Sequence, residues 1–472
     1  MFQKYLVWVT LVMCSGLTPV LVNAQEFPIA VGSDTTFSAG AVYGGNNGIV
    51  AICGDSDSES SITAQLVGTP GTLIGPRISL GATGVVPGAR VIFDGTNYFL
   101  AWREFDGTLR GQFIDTDGNL VGTAFSITTN TQLEIRYLHN MAFDGTAILV
   151  AFVKDDDYLY GQRVSLAGNL IGSQIQISGN LARDFSIAYD GSNYLLVWVE
   201  QIPDSDKDIF GQFVSPAGSL VGNNFLIDGG PDNSDNQTSL AFDGSRYMMV
   251  YHESPDTLSP FTIMGRFITT SGAIGETITI CQGSENPFNP YVAFDTENYL
   301  VTWGQGTDGC MMGRFYDTAG TPVDTPFVIF TPAGNKLPFG GVGFGGGLYL
   351  AVATRVDSTF SNGDVWGRFI EPISTGLEEV GSLIPENVWL GQNYPNPFNP
   401  STTIKFNLSK SSDLVLKVFN LLGQEVATLV SGQLVAGSYQ YKWGASGMAS
   451  GVYVYRLETD GFVQTRKMIL MR

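Results

Sequence analysis

The sequence predicts an all-β protein: a seven-bladed β-propeller of four-stranded blades followed by a small immunoglobulin-like β-sandwich. Three observations predict it. The 472 residues include 58 glycines and 21 prolines, with 12% aromatic and only 14% charged residues, a turn-rich and aromatic-rich composition that suits short strands. A short word ending in an aromatic, usually followed by Asp-Gly, recurs with a period near 50 residues, and repeats of that length mean propellers or solenoids. Beyond about residue 374 the word disappears, and short alternating strands of a different kind take over.

The chain opens on a targeting segment. Lys4 precedes an apolar run from Tyr5 to Val22, which ends in Val22-Asn23-Ala24. Residues 1–24 therefore read as a cleaved signal peptide, and Pro19 and the short core argue against a retained anchor. Met13 before Cys14 is too large for a lipoprotein signal. Without Cys14 the chain keeps Cys53, Cys281 and Cys310, an odd number that rules out a disulfide framework. No later stretch is long and apolar enough to span a bilayer, so no transmembrane segment is expected in the mature chain.

Residues 25–373 carry the repeat. Its marker aromatics are Tyr43, Phe93, Phe143, Tyr189, Phe242, Phe294 and Phe344, spaced 50, 50, 46, 53, 52 and 50 residues apart. Each copy reads as four strands. Strand a ends at the marker, and an Asp-Gly turn leads to strand b, as in Tyr98 to Trp102. A variable loop leads to strand c, as in Leu109 to Ile114, and a turn such as Asp117-Gly118-Asn119 leads to strand d. The seventh copy ends after Val365 to Phe369 without a strand d, whereas Phe27 to Val31 resembles one. If the N-terminal segment completes the last blade, the ring closes and leaves no open edge.

Aromatics recur at fixed offsets. Five positions after the marker lie Tyr98, Tyr194, Tyr247, Tyr299 and Tyr349, and nine positions after it Trp102, Phe152, Trp198, Tyr251 and Trp303. Such ladders could stack sugars, but a residue repeated in nearly every blade is expected to fill the interface between blades. The Asp of each Asp-Gly word is expected to serve turn chemistry first.

Residues 374–391 read as a linker and 392–472 as the sandwich. The sandwich carries the run Asn393 to Ile404 (NYPNPFNPSTTI), then Lys417 to Val426 (KVFNLLGQEV), Ser450 to Leu457 (SGVYVYRL) and the closing Lys467-Met468-Ile469-Leu470. This set of motifs closely resembles the type A C-terminal sorting domain of the type IX secretion system. The resemblance implies a Gram-negative bacterium, Sec export to the periplasm, passage through an outer-membrane translocon and removal of the domain by a sortase-like protease. The cargo would then stay at the outer-membrane surface or become extracellular. The propeller copies only loosely resemble uncharacterised bacterial surface repeats.

Charge divides the same way. From residue 385 onward there are 8 basic and 5 acidic residues, whereas residues 25–384 hold 15 basic and 39 acidic ones. The overall net charge of -20 repels phosphate backbones, so no nucleic-acid partner is expected.

In an antiparallel blade the b–c loops and d–a connections share one face. The b–c loops hold 17 of the 39 acids, among them Glu104, Asp106, Asp155, Asp156, Asp157, Glu200 and Glu253. Irregular loops on a rigid scaffold commonly carry function. Alternate-residue acids, Asp55-x-Asp57-x-Glu59 and Asp204-x-Asp206-x-Asp208, could direct several oxygens at one Ca²⁺ ion. The plainer reading is a solvated hairpin, because the Gly and Glu of an EF-hand loop are absent. Glu134, Arg136, His139, Arg183 and Asp184 at the starts of strands a, together with His252 at the end of a strand b, are the candidates for a ligand-binding face. No G-x-S-x-G, H-E-x-x-H or phosphate loop occurs, and His139 and His252 are the only histidines. The expected function is therefore a secreted or cell-surface binding module for glycan, polymer or protein. The alternative is a propeller hydrolase or lyase acting on extracellular polysaccharide, which needs only two well-placed carboxylates.

Overall fold

The computed structural model describes residues 26–471 apart from 32–34, 45–46, 57–58, 129–139, 202–206, 230–235, 254–260, 283–286, 307–309, 324, 332–335, 338–340, 357–362, 373–376, 380–384, 386, 400 and 446–447. The expected signal peptide lies outside the described residues. Among the described residues, helices are absent and the strands pair antiparallel into nine sheets. They fall into two compact units, divided along the chain between residues 373 and 374.

Seven sheets make up the first unit. Six of them pair four consecutive strands in chain order: sheet 1 from Thr35 to Thr83, sheet 2 from Val85 to Ser126, sheet 3 from Asn140 to Gln176, sheet 4 from Ala182 to Asp228, sheet 5 from Asn236 to Cys281 and sheet 6 from Phe288 to Phe330. In the seventh, Lys336–Leu337 and Val342–Gly345 both pair with Leu348–Val356, which pairs with Gly363–Ile370. Its outer strand is Phe27–Ala30 from the other end of the chain, with Phe27 opposite Gly367 and Pro28 opposite Trp366. Gly367 is required there, since a Cβ would lie 2.6 Å from the Phe27 ring. Glu26 and Arg355 form an ion pair, and the Arg355 guanidinium lies over the Trp366 ring. First strands of successive sheets touch one another, and that of the seventh touches those of the sixth and the first.

The recurring residues are scaffold. Tyr98, Tyr194, Tyr247, Tyr299 and Tyr349 are all fully buried, as are Trp102, Trp198 and Trp303, so neither ladder is a sugar-stacking surface. These tyrosine hydroxyls turn toward the turn of the preceding sheet. Tyr98 donates to Gly44 O at 2.8 Å, Tyr349 to Asn298 O at 3.1 Å, Tyr194 to Ala147 O at 3.3 Å and Tyr247 to Asn193 O at 3.5 Å, while the nearby Asp144, Asp190 and Asp243 carboxylates, after burial, help to raise the pKa of Tyr194, Tyr247 and Tyr299. One oxygen of each Asp accepts backbone N–H groups two and three residues on, as Asp190 Oδ1 does from Ser192 and Asn193 at 2.7 and 2.6 Å. The aspartate thus closes its own turn, and the turn's backbone carbonyls receive the tyrosine of the next sheet.

Strand c carries a second lock. Gln65, Gln112, Gln162 and Gln212 each donate Nε2 to carbonyls on strand d, as Gln112 does to Val121 O at 3.0 Å. The bulge so filled needs a left-handed residue, supplied by Gly75, Gly122, Gly172 and Gly222. Sheets 5 and 7 use arginine instead, reaching the preceding sheet: Arg266 pairs with Asp228 at 2.8 Å and Arg368 donates to Ile329 O at 2.6 Å.

The second unit holds two four-stranded sheets around one core that includes Phe406, Leu416, Trp443, Tyr455 and Met468. One sheet orders Glu425–Leu434, Ser412–Phe419, Gly451–Thr459 and Phe462–Leu470. The other contains Ser401–Leu408 and Gly437–Gly444, flanked by Trp389–Leu390 and Leu377–Glu379. These two short strands lie within the segment expected as a linker, where they cover the edges of that sheet. The motif residues bind one another. Asn393 Nδ2 donates to Pro395 O and Thr402 Oγ1 at 3.0 and 2.9 Å, and its N–H donates to Tyr455 Oη at 2.8 Å. Phe398 N–H donates to Ile469 O, tying the run to the closing segment.

Candidate functional site

The first strands of sheets 2 to 6 together line a pocket of about 660 Å³, including its solvent-open part. Its lining repeats in register. Three residues before each marker stand Arg90, Asn140, Ser186, Ser239 and Tyr291, all in the lining. The same position is Gly40 in sheet 1 and Gly341 in sheet 7. A Cβ on Gly341 would meet the Tyr291 ring at 3.8 Å, and one on Gly40 would meet Ala89 O at 3.3 Å. Gly40 therefore allows close approach to the next strand, Gly341 stands in ordinary contact with Tyr291, and the two leave the pocket flanked by Arg90 on one side of them and Tyr291 on the other.

Five residues before the marker, Asp184, Gln237 and Asn289 also line the pocket, and all three adopt left-handed backbone, with φ of 40°, 49° and 49°. Gly88 takes the equivalent place in sheet 2 at φ 127°. Non-glycine residues rarely accept this conformation, which costs about 1–3 kcal/mol each. The cause is a bulge repeated in the first strands of sheets 1, 2, 4, 5 and 6. Arg183 pairs with Val199 and Ser186 with Val197, so Asp184 and Phe185 share one opposite residue, Trp198. Gln237 and Thr238 share Tyr251, and Asn289 and Pro290 share Trp303. The fully buried aromatic of the ladder thus sits opposite each of these three bulges, and the bulge turns extra backbone and polar side chains toward the pocket.

Some of these groups already have partners. Thr238 Oγ1 donates to Asp184 O at 3.0 Å, Ser239 Oγ accepts from Val292 N–H at 3.1 Å, and Asn140 Oδ1 accepts from Met141 N–H at 2.9 Å. Gln237 Oε1 is buried and has no hydrogen-bond partner among the described residues. Asp184 is the one carboxylate among the described lining residues. Burial raises its pKa, and Lys207 and Arg183 act against that rise. Lys207 also helps to lower the pKa of His252, which burial above all pushes down to about 4. His252 is 6% exposed, with its ring 4.6 Å from Phe261.

Of the sequence-derived candidates, Asp184 lines the pocket, Arg183 precedes it on the same strand, and His252 is buried at the neighbouring sheet, within electrostatic reach of Lys207. Glu134, Arg136 and His139 lie outside the described residues. So do Asp57, Asp204 and Asp206 of the expected Ca²⁺ sites. Asp55 and Glu59 are described only as backbone of adjacent strands, paired through Asp55 with Ser60 and Glu59 with Ser56. Asp208 is half-buried in strand c of sheet 4, its carboxylate beside Gly229. Among the described residues no three His, Cys, Asp or Glu side chains gather as a metal-binding group. Several loop acids serve turns or ion pairs: Asp106 accepts from Thr108 N–H at 2.8 Å, Asp156 from Tyr160 Oη at 2.8 Å, and Glu104 pairs with Arg110 at 2.7 Å.

The sequence reading missed Arg90, Asn140, Ser186, Gln237, Ser239, Asn289 and Tyr291. The signal was available, since the position three before each marker changes residue type in nearly every copy while the residue that follows it stays apolar.

Residues 392–471 match the family described as the secretion system C-terminal sorting domain. That domain marks the chain for export to the cell surface or extracellular space and for contact with the type IX machinery. Among solved structures, a protein of unknown function from Dyadobacter fermentans DSM 18053 is 10% identical, with 73% of this chain and 97% of that one covered at a TM-score of 0.47. The β-propeller domain of the Trilobed protease from Pyrococcus furiosus is 10% identical, covering 72% and 94% at 0.45. A mutant of AofleA from Arthrobotrys oligospora is 11% identical, covering 66% and 90% at 0.40. No curated protein matches the chain. No helix among the described residues is long and apolar enough to cross a membrane.

Proposed function

We propose that residues 25–373 form a seven-bladed propeller closed by the N-terminal strand, joined by residues 374–391 to an immunoglobulin-like sandwich at 392–472. In this reading the propeller is the binding module of an exported protein and takes a polar ligand, a glycan above all, in its axial pocket. The closed cycle of contacts among the first strands and the pairing of Phe27–Ala30 with Gly363–Ile370 support the ring. One observation carries the function: at one equivalent position in sheets 2 to 6 and a second in sheets 4 to 6, an otherwise repetitive scaffold presents different polar side chains, and in sheets 4 to 6 strained backbone, to one shared pocket. Backbone strain that recurs at a pocket is a mark of use, because selection for stability alone would remove it.

Arg183, Asp184 and His252, together with Glu134, Arg136 and His139, make up the proposed ligand-binding face. Hydrolysis of a glycosidic bond by two carboxylates draws less support, since Asp184 stands without a second acid among the described lining residues. The test is a glycan array and a parallel turnover screen with the purified protein, repeated for Asn140→Ala and Tyr291→Ala. Binding that both substitutions abolish, without turnover, supports the reading. Turnover abolished by Asp184→Asn would replace it with the enzyme.

A further inference from the structure

We propose that the axial pocket receives a sugar bearing a carboxylate, of the uronic- or sialic-acid kind, with the carboxylate at Arg90 and the sugar ring against Tyr291. The proposal rests on the binding reading above and names the ligand class.

Arg90 is the only ionised side chain at the position three before the marker; its equivalents are glycine, asparagine, serine or tyrosine. It lines the pocket, and its Nη1 donates to Ala89 O at 3.2 Å, which steadies the guanidinium on its own strand. A guanidinium offers a planar fork that matches a carboxylate with two parallel hydrogen bonds, and loses that match with a neutral hydroxyl. The one lining carboxylate, Asp184, is already acted on by Lys207 and Arg183. Arg90 is thus the one cation among the described lining residues and Asp184 the one carboxyl, inside a stretch, residues 25–384, with 15 basic and 39 acidic residues. A single guanidinium within an acidic surround suits a small anionic group that enters the pocket, and the surround disfavours a long polyanion laid across the face.

The rest of the lining points to a sugar. Gln237 Oε1 is a buried acceptor in need of a donor, which a hydroxyl supplies and a simple anion such as sulfate lacks. Asn289, Ser186 and Asn140 add amides and a hydroxyl that both donate and accept. Tyr291 provides the aromatic face on which the C–H side of a pyranose packs.

The experiment is calorimetric titration of the purified full-length protein with trigalacturonate, its methyl ester, sialyllactose, lactose and sodium sulfate. At least one acidic sugar should bind, and its neutral counterpart (the methyl ester, or lactose) at least tenfold more weakly. Arg90→Gln should bring the acidic sugar down to the level of the neutral one, and Arg90→Lys should leave it in between. Equal binding of acidic and neutral sugars would overturn the carboxylate and leave the binding reading standing. Sulfate binding as tight as the acidic sugar would overturn the sugar. No binding by either acidic sugar, or acidic-sugar binding untouched by both Arg90→Gln and Tyr291→Ala, would overturn the proposal, and the second result would remove the axial site with it. The comparison of acid with ester needs no variant, so a substitution that fails to fold does not decide the outcome.

Discussion

Trp198 and Asp184 lie opposite each other in neighbouring strands of one sheet, yet they follow different rules. Trp198 belongs to a ladder that is aromatic in sheets 2 to 6 and fully buried wherever it is Trp. Asp184 belongs to a series with Gln237 and Asn289, in strained backbone and lining a pocket, whose place in sheet 2 is taken by Gly88. The ladder is uniform because each sheet meets a nearly identical neighbour and the same volume must be filled each time. The series at the pocket is free to vary because its side chains line open space, although Thr238 and Ser239 also bond to the neighbouring sheets. Within one repeat, constancy marks packing and variation marks the place where a ligand can be read. The bulge joins the two regions, since the buried aromatic stands opposite the extra residue.

The largest effect should come from the ladder. Trp198→Ala removes a fully buried side chain and should lower stability by about 3–5 kcal/mol, read as a lower midpoint in denaturant. Ser186→Ala, three residues before the marker of the same sheet, should leave that midpoint nearly unchanged. Equal losses would erase the distinction between scaffold and axis.

His252 sharpens it with pH. Its folded pKa of about 4 lies below the ordinary 6.5, so the unfolded chain takes up a proton first as the pH falls. The contribution of His252 is complete above pH 6.5, declines between 6.5 and 4 and levels off below 4, about 3 kcal/mol in all. His252→Phe should flatten the stability profile across that window. A profile as steep as that of the unsubstituted protein would show His252 to be accessible to protons in the fold.

A smaller effect of opposite sign is expected at the axis. Gln237→Gly accepts φ 49° without strain and should raise stability by about 1 kcal/mol, while ligand binding falls with the loss of Oε1. Gln237→Ala loses the same group but keeps a Cβ in left-handed backbone, so it should lose binding without the gain. Equal midpoints for the two variants would mean that the bulge stores no strain.

The repeat made much of this legible. Seven marker aromatics set the sheets, and the tyrosines five residues after five of them reach the turn of the sheet before, as Tyr194 does through Ala147 O. The strand Ser401–Leu408 was not read as one, although Thr402, Ile404, Phe406 and Leu408 alternate inward, because the prolines before it drew attention to the motif. The pocket escaped for a different reason. A bulge is a mismatch in pairing between two strands, and neither Asp184 nor Gln237 carries a mark of it in sequence. Arg90 and Asn140 look like ordinary polar residues of a half-exposed strand until the seven copies are compared column by column. Lys207 acts on both Asp184 and His252 from a third strand, a relation that only the folded chain creates.

The central claim is that the axial series and not the loop acids holds the ligand. It is tested most directly by measuring binding of one array-positive glycan to four proteins: unsubstituted, Asn140→Ala, Tyr291→Ala and the loop double variant Asp155→Asn/Asp156→Asn, each with its thermal midpoint. The account predicts that the two axial variants lose at least tenfold in affinity at unchanged midpoint while the loop variant binds normally. Affinity lost in the loop variant and retained in both axial ones would contradict it.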